Sequence, residues 1–183
     1  VNRLIAFLRG VNLGGRTVKG PQLISAFSAL GLKNVATFLA SGNVVFDTSR
    51  KNLQTLQVEI ESRLAADLGF ETRTFLRSMN RISEIAGANP FGLSAKQGGE
   101  FTTHVIFLDG KAPKAMKDRM IKLRSDYDDF AFDCHEAFWL CRGPKISESK
   151  LFQGTSFEKA VSAPNTMRNI RTIQRLVAKF GRD

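Results

Sequence analysis

The chain has 183 residues, 43% hydrophobic and 24% charged, a balance ordinary for a globular protein with room for one sizeable domain or two small ones. No stretch approaches the apolar length that spans a bilayer, and the first residues lack the basic, apolar and small-residue layout of a signal peptide, so a cytoplasmic location and no membrane partner are expected. The net charge of +10, from 27 basic against 17 acidic residues, favours encounters with polyanions.

In chain order, residues 4–9 read as an apolar strand. Residues 21–31 fit a helix opened by Pro21 and closed by Gly31, with Leu23, Ile24, Phe27 and Leu30 on one face. Two β-rich runs, 35–39 and 44–47, flank Ala40-Ser41-Gly42-Asn43, a hairpin signal. Leu53, Leu56, Ile60, Leu64 and Leu68 space a helix over 52–68 with Gly69 as its stop, and 71–77 is a further strand. The first half thus spells βαββαβ.

A short helix at 80–87 leads into a loop rich in Gly, Pro and Ser over 88–100. The order then restarts with strand 102–108, helix 113–124, strands near 129–133 and 136–142, and helical patterns at 154–162 and 167–180. The expected fold is α+β, two tandem ferredoxin-like βαββα(β) units with antiparallel sheets. The first unit is set at 1–87, the linking loop at 88–100, and the second unit, with a basic C-terminal helix, at 101–183.

The stretch Leu8-Arg9-Gly10-Val11-Asn12-Leu13-Gly14-Gly15 stands between a strand and a helix and combines glycines with an arginine. Glycines allow positive φ and leave backbone N–H groups open to an anion, beside which Arg9 is a forked donor. The spacing matches neither the P-loop nor the dinucleotide fingerprint. In a ferredoxin-like sheet the third strand lies beside the first, which brings Ser41 and Asn43 to the same end as Arg9, Asn12, Gly14 and Gly15. Two readings stand: tight connections whose Gly and Asn residues supply positive φ, or an anion pocket. Arg9 has no turn-forming role and favours the pocket, with Arg168 and Asn169 as further candidate contributors.

Both ends of the chain are basic, and 126–133 carries an acidic knot of Asp126, Asp128, Asp129 and Asp133. Over 167–180 an apolar stripe of Ile170, Ile173, Leu176, Val177 and Phe180 opposes Arg168, Arg171, Arg175, Lys179 and, just beyond, Arg182, a basic amphipathic helix. It reads either as a core helix with a solvated face or as a polyanion contact. Cys134 and Cys141 lack metal-ligand spacing and read as small, buried, reduced hydrophobes. His104 falls in a strand facing an apolar layer and His135 at a turn, so no catalytic or metal constellation is visible and no cofactor is expected. Asp109 holds the place in the second half that Arg9 holds in the first, and reads first as a turn initiator.

The Arg9 stretch, Leu30-Gly31 with Asn34-Val35, Ser41-Gly42-Asn43-Val44-Val45-Phe46, Phe157-Glu158-Lys159 and Thr166-Met167-Arg168-Asn169-Ile170-Arg171-Thr172 together resemble a family of mostly bacterial proteins, domain-of-unknown-function family 1697. That family usually has an aromatic where Ile170 stands and a small residue where Met167 stands. The resemblance implies an α+β fold of ferredoxin-like units in a cytosolic protein, and no known activity.

Three function classes follow. The first is binding of a small phosphate- or carboxylate-bearing ligand at the Arg9–Gly15 loop. The second is nucleic-acid binding through the basic helix, expected to be weak and non-specific because Phe7 and Phe46 lie in runs too apolar to be exposed stacking platforms. The third is an enzyme on an anionic substrate, for which Asp47 and Lys19 are the titratable groups nearest the loop in sequence.

Overall fold

The computed structural model describes residues 1–12, 15, 17–93 and 100–181. Gly14 of the candidate site, Arg182 of the basic end and residues 94–99 of the linking loop lie outside the described residues. The chain divides into two compact units, Val1–Ile85 with the segment from Leu176, and Ala86–Arg175.

The first unit starts with β1 (Asn2–Leu8), α1 (Gly20–Ala29), β2 (Lys33–Thr37) and β3 (Asn43–Thr48). It continues through α2 (Leu53–Leu68), β4 (Thr74–Ser78) and α3 (Met79–Gly87). Its sheet order is β2-β3-β1-β4 with every pairing antiparallel, the ferredoxin-like arrangement. Leu4, Ala6 and Leu8 of β1 join Val44, Phe46 and Leu76 under the apolar faces of α1 and α2. Ile5, Phe7, Val45 and Phe75 point to the other face by strand alternation and are equally buried. Asn52 caps α2 through Thr55 N at 3.0 Å, and Gly69 ends it at φ 76.

The second unit repeats the order with β5 (Thr102–Leu108), α4 (Lys114–Ile121), β6 (Asp128–Asp133) and β7 (Glu136–Cys141). Two short helices follow, α5 (Lys150–Gln153) and α6 (Ser156–Ala160), then β8 (Asn165–Asn169) and α7 (Ile170–Phe180), whose residues from Leu176 belong to the first unit. The sheet order β6-β7-β5-β8 reproduces that of the first unit. The acidic knot resolves into structural contacts. Asp128 is buried and accepts from Trp139 Nε1 at 2.8 Å and Ser149 Oγ at 3.0 Å, while Asp129 pairs with Arg124 at 2.8 Å. Phe157 stacks on Trp139 at 4.5 Å between ring centroids.

Several local expectations change. The helical pattern at 154–162 holds one short helix, Ser156–Ala160, preceded by another at Lys150–Gln153, and the C-terminal helix begins at Ile170 rather than 167. Residues 165–169 instead pair antiparallel with β5 and alternate in burial, completing the second βαββαβ. Sheet closure on a buried β5 outweighs the helical spacing there, and Asn169 Oδ1 accepts from Arg171 N at 2.9 Å to start the helix. Cys141 is buried, its thiol pushed up to about 12 by burial, as a small hydrophobe should be. Cys134 is exposed at φ 44 in the β6–β7 turn, because a two-residue hairpin needs that backbone whatever the side chain prefers.

His104 lies on the helix-facing side of β5, opposite Trp139, with Nδ1 buried and without a hydrogen-bond partner. Burial lowers its pKa from 6.5 to about 4, so the folded protein holds a neutral imidazole and the unfolded chain takes up the proton first on acidification. This contribution is complete above pH 6.5 and is lost as the pH falls from there towards 4. Urea unfolding across that window should give a stability slope of up to about 1.4 kcal/mol per pH unit from this one group. The component should be missing from His104→Gln.

Candidate functional site

Antiparallel pairing of β1 with β3 and β4 puts three connections at one end of the first sheet: the segment after β1, the β2–β3 hairpin and the entry to β4. Leu8 N donates to Gly42 O at 2.8 Å, binding the first two together. Arg9 is held on its other side, its N–H donating to Arg73 O at 2.9 Å and its carbonyl accepting from Thr72 Oγ1 at 2.6 Å. The Arg9 side chain is exposed, and among the described residues its guanidinium makes no hydrogen bond or ion pair. A fixed backbone thus presents an uncommitted cation.

The two asparagines have other work. Asn12 Nδ2 donates to Ala40 O, while its Oδ1 accepts from Val18 N at 2.7 Å. Asn43 is fully buried and donates to Phe38 O at 2.7 Å and Ser41 Oγ at 2.8 Å. One amide clamps the 9–18 loop to the hairpin and the other closes the hairpin on itself. Gly42 sits at φ +72, and a Cβ there would lie 2.5 Å from Val11 Cγ2. Gly10 at φ 71 and Gly15 at φ 81 use the same left-handed region with open space around them. Leu39 is exposed and takes φ 58, a conformation a leucine adopts only when its surroundings impose it.

Arg9, Asn12, Gly15, Ser41 and Asn43 therefore share one end of the first unit. Arg168 and Asn169 belong to the second unit. Arg168 lies in β8 opposite Val105, on the face of the sheet that also carries Phe107, Phe138 and Leu140. It is buried, donates to Thr166 Oγ1 and Met167 O at 2.8 Å, and burial lowers its pKa to about 10. Asn169 caps α7.

Sequence proximity misplaced Asp47. It pairs with β1 at Arg3, the far end of the strand from Arg9, and accepts from Arg3 Nε at 3.0 Å and Asn34 Nδ2 at 2.7 Å. Burial works to raise its carboxyl, but those hydrogen bonds and the Arg3 charge outweigh it and hold the group below the usual carboxylate range. Arg73, absent from the sequence-based set, is brought beside Arg9 by β4 and pairs with Glu61 at 3.5 Å. The fourth strand's place beside the first would have pointed to it. Among the described residues no group of three or more His, Cys, Asp or Glu is placed to hold a metal ion.

A family model matches residues 1–138 of the 183, a span that takes in the whole first-unit end and stops within β7. The chain belongs to the family described as protein of unknown function (DUF1697). The DUF1697 match leaves out Arg168 and Asn169. No curated protein matches the chain. The chain is similar to a solved structure described as conserved bacterial protein SP0830 from Streptococcus pneumoniae, at 19% identity and TM-score 0.74, covering 99% of both chains. At that identity the likeness shows the fold alone.

If Asn43 and Gly42 are scaffold, altering them should cost stability. Asn43→Ala leaves Phe38 O without its donor inside the protein, at about 1–3 kcal/mol. Gly42→Ala forces a left-handed alanine against Val11 and should cost at least as much, about 1–3 kcal/mol from backbone strain alone. Urea unfolding of the two variants checks both values.

Proposed function

We propose that the Arg9 end of the first unit binds a small phosphate- or carboxylate-bearing ligand. The observation that carries this reading is Arg9 itself, pinned through both its N–H and its carbonyl while its guanidinium has no partner among the described residues. Exposed Lys19 ahead of α1 adds positive charge to the same end, and Arg73, paired with Glu61 just ahead of β4, flanks it. Ser41 offers a hydroxyl at the rim, and Gly10 and Gly15 leave the backbone open to close approach. In this reading Asn12 and Asn43 position the loops and do not touch the ligand.

Nucleic-acid binding has less support. Ferredoxin-like modules that stack bases do so on exposed sheet aromatics, whereas Phe7, Phe46 and Phe107 are each 0% exposed. Arg168 has left the basic helix for a buried strand position, and Lys179 lies over the Phe180 ring at 5.1 Å. Weak electrostatic attraction without sequence preference is the reading for polyanions. A reducing, cytoplasmic setting suits the two free thiols, and among the described residues no helix is long and apolar enough to cross a membrane.

A thermal-shift panel of inorganic phosphate, nucleotides, sugar phosphates and small carboxylates tests the first reading. At least one should raise the melting temperature of the wild type, and Arg9→Ala should abolish that rise, a loss of about 1.5–3 kcal/mol for a charge-assisted contact. The unliganded variant should melt as the wild type does, as exposed substitutions do. An unfolded Arg9→Ala, or a panel without effect, overturns the proposal. Short RNA and DNA should bind with Kd of roughly 10⁻⁴–10⁻⁶ M at physiological salt and no sequence preference. Submicromolar, selective binding instead would promote the nucleic-acid reading.

A further inference from the structure

The second unit holds a cavity of about 470 Å³ where β5 begins and β8 passes into α7. Its lining includes Glu100 and Phe101 from the approach to β5, Pro144 from the loop after β7, and Asn169, Ile170 and Arg171 from the β8–α7 junction. The size lies within the range of pockets that hold small molecules, roughly 300–1,000 Å³. Both charges in this lining are uncommitted. Arg171 and Glu100 are exposed, and neither makes a side-chain ion pair or hydrogen bond with the other or with any other described residue.

The local electrostatics fit this arrangement to a ligand carrying both charges. Arg171 is the second residue of α7, and the first turn of that helix has no acidic residue, so a cation and the positive end of the helix dipole add at one wall. A cation is destabilising at a helix N-terminus unless an anion answers it. Asn169 stands at the same wall, its Oδ1 taken by Arg171 N and its Nδ2 without a partner among the described residues. A carboxylate there meets a forked guanidinium and an amide donor. Glu100 answers an ammonium group, and Phe101, Pro144 and Ile170 supply apolar surface for what lies between or beside the two charges.

We propose that this cavity binds a zwitterionic small molecule of the amino-acid class, its carboxylate held by Arg171 and Asn169, its ammonium by Glu100, and its apolar side chain against Phe101 and Pro144. The site is separate from the Arg9 end of the first unit and does not depend on that reading. It uses two residues of the C-terminal motif, Asn169 and Arg171, that the Arg9 site leaves out.

Titration calorimetry of the full chain tests the proposal with L-leucine, L-phenylalanine, N-acetyl-L-phenylalanine and L-phenylalaninamide. The two free amino acids should bind, and each blocked derivative should bind at least about tenfold more weakly, the loss of one charge-assisted contact. Arg171→Gln should weaken L-phenylalanine about tenfold and erase the difference between it and its amide. Glu100→Gln should erase the difference between it and its N-acetyl derivative. Absence of binding by both amino acids at millimolar concentration, or equal binding of the blocked derivatives, overturns the proposal, and needs no variant to establish. Wild-type affinity in both Arg171→Gln and Glu100→Gln overturns it as well.

Discussion

Burial of the central strand on both faces governs this molecule. In β1 the residues from Leu4 to Leu8 are all inaccessible, alternating between the helix side and the opposite side of the sheet, and β5 repeats this from His104 to Leu108. A strand so placed cannot carry chemistry along its length, because any unpaired polar group there bears its full desolvation cost. Polar groups that do enter the sheets are satisfied locally, as with Asp128 under Trp139 and Ser149, or are held neutral, as with His104. Function is pushed to the strand ends.

At those ends the two units share architecture and differ in chemistry. Leu8 N meets Gly42 O after β1, and Leu108 N meets His135 O after β5, the same closing bond in the same topological place. The connections around it differ. The first unit has an arginine and a clamped glycine-containing hairpin, while the second has Asp109 and a two-residue turn at Cys134 and His135. The repeated fold therefore supplies two similar frames whose loops carry different residues.

The clamp at that end explains why residue type alone misjudges a site. Asn12 and Asn43 have the donors and acceptors a ligand would use, yet both are consumed in holding the loops at a fixed spacing. Their role is to hold the loops in place, and under the proposed reading that preorganisation lowers the ordering cost of a ligand at Arg9 and Ser41. Arg168 illustrates the opposite error, since its place beside Arg171 in a basic run suggested a shared surface. One residue is now buried in a strand and the other exposed on a helix.

Element order, both antiparallel sheets and the meeting of the Arg9 loop with the 40–43 hairpin were legible in the sequence, because apolar periodicity is local and a βαββαβ order packs in few ways. Tertiary structure decided the rest. It made 165–169 a strand against its helical spacing, since pairing with a doubly buried β5 outweighs propensity. It set Asp47 beside Arg3, brought Arg73 to Arg9, and spent the Asn12 amide on the carbonyl of Ala40 in the hairpin. Hydrogen-bond partners at such separations are fixed by strand register and burial, which no local pattern of residues encodes.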